Sequence, residues 1–248
     1  MTTPAIELVD VGKRYGGLQA VESVTLAVAP GERRVLIGPN GAGKTTLFHC
    51  VTGTVRASSG RIRLFGTDVT RLDEASRTRL GMGRTFQISN VFMDLTVVEN
   101  VLLALLGKDR RKWTTYRTLR TYAQMHEQAL DRLAVVGLQA RANETVRLLS
   151  YGERRQLELA LALATAPRVL FLDEPCAGLS PSERQLLSQL IAGLPRDITL
   201  LMIEHDMDVA LALADRVTVL HRGKVILEGS PDEVQADPEV REVYFGHV

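Results

Sequence analysis

The stretch Gly38-Pro39-Asn40-Gly41-Ala42-Gly43-Lys44-Thr45-Thr46 limits this chain to a narrow set of folds. Two glycines flank four residues and Gly-Lys-Thr follows, which is the spacing of a phosphate-binding loop. The apolar run Val35-Leu36-Ile37 in front predicts a buried strand, and Thr46 to Val51, stopped at Gly53, predicts a short helix behind. The chemistry needs that setting. Glycines let backbone N–H groups turn onto phosphate oxygens at a helix N-terminus, where the helix dipole adds positive charge. Lys44 then reaches the β- and γ-phosphates, and the Thr45 hydroxyl suits a Mg²⁺ ligand. A plain Gly-rich turn between strand and helix is the alternative, and it does not require every position of the pattern to be filled.

Composition narrows the rest. With 248 residues, 45% of them apolar, the chain can bury a full core as one large domain or two lobes. A net charge of +1 with acids and bases interspersed argues against a nucleic-acid surface. Cys50 and Cys176 are isolated, show no metal-ligand spacing and fit a reducing compartment. Met1 to Ala5 has no basic segment followed by an apolar one, so no secretory signal is expected. No uncharged apolar stretch is long enough to cross a bilayer, since Leu157 to Leu172 is broken by Glu158, Pro167 and Arg168. A soluble chain is the expectation.

Ile6, Leu8 and Val11 open a strand pattern, and Val24 to Val28 alternates apolar with smaller residues. Pro30-Gly31 is expected to turn that run back into a strand from Glu32 to Ile37, so that the first lobe opens with antiparallel pairing. Lys13 to Gly17 reads as a loop, and Tyr15 on it is either ordinary packing or a ring that stacks on a purine. Gly60 to Gly66 reads as a strand, and Asp73 to Leu80 as a short, charged, exposed helix. Thr96-Val97-Val98-Glu99 is a capping box that opens an apolar helix through Leu106. The basic stretch Lys108 to Trp113 fits a solvated helix end, and it also fits contact with anionic headgroups or a membrane partner's loop. Tyr122 to Val136 carries a long amphipathic pattern stopped at Gly137. Residues 88–160 are therefore expected to form a helical lobe inserted into an α/β core of 1–87 and 161–248, within a single domain of 1–248.

Ser150 with Glu153 is another capping box. Either it only starts a helix, or Ser150 and the N–H groups freed there point outward as a second phosphate site. One chain does not easily aim both this helix and the phosphate loop at one γ-phosphate, whereas two chains facing head to tail do. Arg168 to Pro175 reads as a buried parallel strand ending in Asp173 and Glu174. Adjacent acids at a strand end can be a turn or a helix cap. Downstream of a complete phosphate loop they suit Mg²⁺ binding by Asp173 and polarisation of an attacking water by Glu174. Ser180-Pro181-Ser182-Glu183 starts a further capped helix with Pro at its first position. His205, after the apolar run Ile198 to Ile203, either plays a structural part or reaches a γ-phosphate. Arg216 to Leu220 and Lys224 to Leu227 form a hairpin through Arg222-Gly223, and Ser230-Pro231-Asp232-Glu233 caps a final helix.

Taken in order, these residues resemble the nucleotide-binding subunit of ATP-binding cassette (ABC) transporters over essentially the whole chain. The resemblance implies an ABC ATPase fold: a phosphate-loop α/β core with a mixed, mainly parallel sheet, an antiparallel β lobe and an inserted helical lobe. It implies ATP and Mg²⁺ as cofactors. Tyr15 matches the adenine-stacking aromatic, Val21 a further nucleotide position, Gly38 to Thr46 the phosphate loop, and Gln87 the glutamine that links Mg²⁺ to the membrane partner. Leu149, Ser150, Tyr151, Gly152 and Glu153 match the family signature, which meets the partner chain's γ-phosphate. Asp173 and Glu174 match the Mg²⁺ and catalytic acids, Ala177, Gly178, Leu179 and Ser180 the dimer-contact loop, and His205 the switch histidine. Lys44, Glu174 and His205 are thus the expected catalytic set, and Thr45, Gln87 and Asp173 the expected metal ligands.

Within the family the chain is most similar to the subunits of branched-chain amino-acid importers of the LivG/LivF type. Gly83-Arg84-Thr85-Phe86-Gln87, Leu149 to Arg155 and the terminal Val243-Tyr244-Phe245-Gly246 carry that likeness, and the modest insert after Asn100 looks more like the LivG branch. Tyr151 and Glu153 replace the commoner Gly and Gln of the signature, and Ser180 stands where Asp or Asn is usual, which implies a weaker cross-dimer contact. The resemblance implies integral membrane permease subunits and a second ABC ATPase subunit, identical or related, as partners. A solute-binding receptor would act through them, with no nucleic acid, and the chain would sit on the cytoplasmic face of the membrane. Export ATPases of the lipopolysaccharide type and non-transport ABC ATPases share the same nucleotide motifs.

Overall fold

The computed structural model describes residues 3–85, 91–108 and 119–245. The first half holds β1 (Ile6–Tyr15), β2 (Leu18–Val28), β3 (Arg33–Ile37), α1 (Lys44–Thr52), β4 (Ser59–Leu64), β5 (Thr67–Asp68), α2 (Glu74–Arg79) and β6 (Met82–Arg84). Then come α3 (Val97–Lys108), α4 (Leu119–Val135), α5 (Tyr151–Ala164), β7 (Val169–Asp173), α6 (Pro181–Ala192) and β8 (Thr199–Ile203). The chain closes with α7 (Met207–Leu213), β9 (Arg216–His221), β10 (Lys224–Gly229), α8 (Pro231–Ala236) and α9 (Pro238–Phe245). Two compact units divide these elements, one of Met1–Arg84, Arg168–Glu174 and Leu194–Val248, the other of Thr85–Pro167 and Pro175–Gly193.

The first unit carries an antiparallel sheet, order β2-β1-β4-β5, and a six-stranded sheet, order β10-β9-β3-β8-β7-β6. In the second sheet β9, β3, β8, β7 and β6 run parallel, and β10 closes the edge antiparallel to β9. Every residue of β3, β7 and β8 is buried. That explains their continuous apolar runs, since a parallel strand is covered on both faces.

The same fact corrects the expected opening of the chain. β2 does not turn back to pair with β3; its antiparallel partner is β1, and β3 lies between β8 and β9 in the other sheet. Val35-Leu36-Ile37 needs apolar cover on both faces, which a hairpin with one wet face does not provide. Lys13, Arg14 and Tyr15 are likewise not a loop. They finish β1, and only Gly16-Gly17 turns the chain into β2.

α1 is held by apolar contacts with both sheets. One buried cluster joins Ile6, Leu8 and Leu26 of the first sheet, Leu47, Phe48 and Val51 of α1, and Phe171, Leu201 and Ile203 of the second. Phe48 meets Phe171 edge-on with ring centroids 5.6 Å apart. Each such fully buried side chain contributes roughly 1.5–3 kcal/mol, so the helix behind the phosphate loop is a rigid base. The far end of α1 is tied down by a residue expected on an exposed helix. Arg77 of α2 is only 1% exposed, and its Nη1 donates to the carbonyls of Cys50 and Val51 at 2.7 and 2.6 Å. It thereby serves last-turn carbonyls that the helix itself leaves without partners. Replacing Arg77 by Met is expected to cost about 2 kcal/mol, because those carbonyls stay buried without a donor. A lower urea midpoint at unchanged slope is the expected result, and an unchanged midpoint would remove Arg77 from this role.

In the second unit α3, α4 and α5 pack on one another and α6 lies against α5, with Val97, Val101, Ala129, Leu133, Leu157 and Ala160 buried. The Thr96–Glu99 box caps α3, and α4 begins at Leu119, ahead of the expected Tyr122. Residues 85–167 and 175–193 make up this unit, so α6 belongs to it. Residues 109–113 of the basic stretch lie outside the described residues. An unforeseen helix, α9, takes up the terminal segment. Its start is Asp237-Pro238, with the Asp237 Oδ1 accepting from the Val240 N–H at 3.0 Å, a cap followed by Pro at the first helical position. No helix among the described residues is long and apolar enough to cross a membrane.

Candidate nucleotide-binding site

The loop from Gly38 to Gly43 joins the end of β3 to the start of α1. Gly43 has φ 100°, and a Cβ there would also run into the Ala20 carbonyl of β2. At Gly38 a Cβ would run into the Leu220 carbonyl of β9. The β9–β10 turn closes on the loop as well, with the Gly223 N–H donating to the Ala42 carbonyl at 2.8 Å. The loop is therefore shaped by close backbone approach on both sides, which only glycine allows.

An open cavity of about 640 Å³ is lined by Asn40 to Thr46, by Tyr15, Leu18, Gln19 and Ala20, and by Glu174, His205 and Arg222. Val21 is not among these residues; it is fully buried in the core of the first unit. Lys44 is also buried, and its Nζ donates to the carbonyls of Gly38 at 2.6 Å and Pro39 at 3.1 Å. Burial pulls its pKa below the ordinary lysine value, against the raising effect of the Glu174 and Asp173 charges. The ammonium is thus held at the loop by two carbonyls that phosphate oxygens can replace. Tyr15 is 46% exposed. The Lys13 ammonium lies over its ring, 4.7 Å from the centroid.

Parallel pairing of β7 with β8 sets Asp173 opposite Ile203 and so brings the residues after each strand side by side. His205 Nε2 lies 2.7 Å from Glu174 Oε1. The Glu174 N–H donates to the Ile203 carbonyl at 3.0 Å, and its φ of 48° is left-handed. A non-glycine residue held there stores strain, which proteins place where a side chain must be aimed. Asp173 is 2% exposed, and neither carboxylate oxygen has a hydrogen-bond partner among the described residues. Its pKa is raised to about 6, first by burial and then by the Glu174 charge, with Arg84, His205 and Lys44 opposing. Two buried, unpartnered carboxylate oxygens beside a phosphate loop fit a divalent cation. Thr45 opens α1 next to Lys44, and Gln87 lies outside the described residues.

The signature residues belong to the second unit. Ser150 caps α5 by accepting the Glu153 N–H at 3.1 Å, and Glu153 Oε2 accepts the Ser150 N–H at 2.8 Å. The Gly152 N–H donates to Glu183 Oε1 at 3.2 Å. The N–H groups expected to point outward are therefore largely taken within the chain, two by carboxylates and one by the Ser150 hydroxyl. Glu183 also accepts from the Ser180 N–H and hydroxyl through Oε2, at 3.0 and 2.6 Å. It thus joins the starts of α5 and α6, a link that its place in a local cap did not disclose. Tyr151 adds a second link. Its hydroxyl donates to the Ala177 carbonyl at 3.4 Å, and its ring lies where a Cβ on Gly178 would be in contact, 3.4 Å away. Leu149 and Leu179 are buried anchors of the two segments. Arg222 was also missed as a lining residue, since Arg222-Gly223 reads only as a hairpin turn.

The family model for ABC transporters matches residues 21–177, and the model for branched-chain amino acid ATP-binding cassette transporters matches residues 224–248. The chain is 38% identical over 254 residues to the high-affinity branched-chain amino acid transport ATP-binding protein LivG of Escherichia coli (strain K12), covering 99% of each. It is 38% identical over 236 residues to the lipopolysaccharide export system ATP-binding protein LptB of Acidithiobacillus ferridurans, covering 94% and 93%. Among solved structures, an ATP-binding cassette of an ABC transporter in its ADP conformation superposes with a TM-score of 0.86 at 30% identity, covering 99% of this chain and 100% of that one. On these matches, and on the phosphate loop and strand-end acids they share a fold with, the chain belongs to the ABC transporter family as an ATP-binding subunit, in the branch of the branched-chain amino acid transport proteins.

Proposed function

We propose that this chain is the ATP-hydrolysing motor subunit of a membrane importer for branched-chain amino acids or related small polar or amphipathic solutes. The cargo reading is supported by the terminal match at 224–248 and by the full-length likeness to LivG. The lipopolysaccharide-export relative is equally identical, but over less of each chain. The observation that carries the chemistry is the Glu174–His205 contact of 2.7 Å at the ends of paired strands, with both side chains lining the cavity that holds the phosphate loop.

In this reading Tyr15 stacks on adenine, and the loop N–H groups with Lys44 take the β- and γ-phosphates. Thr45 and Asp173, with Gln87, would hold Mg²⁺, which would neutralise triphosphate charge. Glu174 accepts a hydrogen bond from the attacking water and polarises it, and His205 holds that carboxylate in place while facing the γ-phosphate. Two copies, or this chain and a related one, face head to tail across Ala177 to Ser180, each offering the Ser150 O–H at the start of α5 to the other's nucleotide, since the N–H groups there are largely taken. ATP then favours the closed pair because it touches both halves only there. Closure is passed to integral permease subunits in the membrane, with a solute receptor acting through them, and the chain is peripheral on the cytoplasmic face. The test is release of phosphate from ATP by the purified chain. Saturable release is expected; nucleotide binding with no release would make the chain a binding module instead.

A further inference from the structure

We propose that Arg141 is a positioning residue for the signature helix, cancelling the Glu153 charge where the partner's triphosphate must approach. The inference rests on the reading of α5 as the helix that meets the partner's nucleotide. Glu153 occupies the third position of α5, and its Oε2 sits on the Ser150 N–H. A carboxylate is thus fixed at the very helix start that an anion has to reach. A negative group there opposes a phosphate by direct repulsion and by using up the helix dipole.

Arg141 answers that charge. It ends the short 3₁₀ segment Gln139–Arg141, and its Nε and Nη2 lie 3.1 and 3.0 Å from Glu153 Oε1. Its Nη1 donates to Glu144 Oε2 at 2.6 Å. Both Glu153 oxygens are therefore held, one by the helix start and one by the guanidinium, which fixes the carboxylate's direction. A cavity of about 340 Å³ opens beside the helix start and is lined by Arg141, Ser150, Gly152, Glu153 and Glu183, among others. Arg141 is the one cation among the described residues lining it, against the two carboxylates of Glu153 and Glu183. Glu183 is already committed to the Gly152 and Ser180 N–H groups. The lining carries one net negative charge with Arg141 and two without it, and desolvation in a closed pair of chains would enlarge the added repulsion.

The experiment measures ATP-driven dimerisation by sedimentation in the slowly hydrolysing Glu174→Gln chain, alone and with R141M, E153Q and both. R141M keeps the apolar stem of the side chain and is expected to weaken ATP-driven dimerisation about tenfold. In a chain that also carries E153Q, the same R141M change is expected to weaken it less than about twofold. R141K, which keeps the charge and loses the fork, is expected to recover most of the loss, which separates charge from folding. Equal weakening by R141M with and without E153Q, or no weakening at all, would overturn the inference. If the Glu174→Gln chain stays monomeric with ATP, the reading of α5 itself falls; an ATP-driven dimer indifferent to Arg141 removes only the inference.

Discussion

The Glu174→Gln chain is expected to bind ATP yet hydrolyse it at least about 100-fold more slowly, the scale of a lost general base. Glutamine has the same length and shape and tolerates the same backbone placement, so the left-handed turn at φ 48° and the N–H bond to Ile203 are kept. Its amide oxygen can still accept from His205, whose Nε2 now lies 2.7 Å from Oε1. What disappears is the negative charge that polarises water. Binding groups remain intact, so ATP should accumulate on the protein and hold two chains together. Phosphate release and sedimentation with ATP check both parts. Wild-type turnover in this variant would move the water-polarising role to another acid.

Asp173→Asn is expected to act in opposite directions on stability and on turnover. Asp173 is buried with both oxygens unpartnered among the described residues, and its pKa is raised from 3.8 to about 6. The folded state therefore binds the proton more tightly than the unfolded chain does. Its contribution is fully present below about pH 3.8 and is lost as pH rises through about 6. At pH 7.5 the ionised carboxylate is a burden, and asparagine removes it. The nucleotide-free variant should gain roughly 1–3 kcal/mol there, with the gain fading toward pH 4. Turnover of ATP should fall at least about 100-fold, because a neutral amide is a poor ligand for Mg²⁺. Thermal melts across pH 4 to 8 and phosphate release give the two readouts. A melting temperature that drops at pH 7.5 would contradict the unpartnered carboxylate.

The parts of this protein that its sequence discloses are those made by neighbours in the chain. The phosphate loop is local hydrogen bonding in a strand–turn–helix. The capping boxes at Ser150, Ser180 and Ser230 pair residues three apart, and all three form. Asp173, Glu174 and His205 were legible because buried parallel strands end together, so residues after them converge. What stayed hidden depends on partners far apart in the chain. The pairing of β3 is decided by β8 and β9, well over a hundred residues downstream. Arg77 reads as one more charge on a short helix until α1 presents its last carbonyls. Glu183 reads as a local cap until Gly152 is brought to it, and Arg141 carries no motif of its own. Val21, a position taken from likeness, has its side chain in the core of the first unit.

Affinity isolation of this chain from solubilised native membranes tests the central claim most directly. The account expects multi-span membrane proteins to copurify together with a second ATP-binding chain, identical or related. Recovery of soluble proteins alone, or of nucleic acid, would leave the ATP chemistry standing and contradict the transport motor.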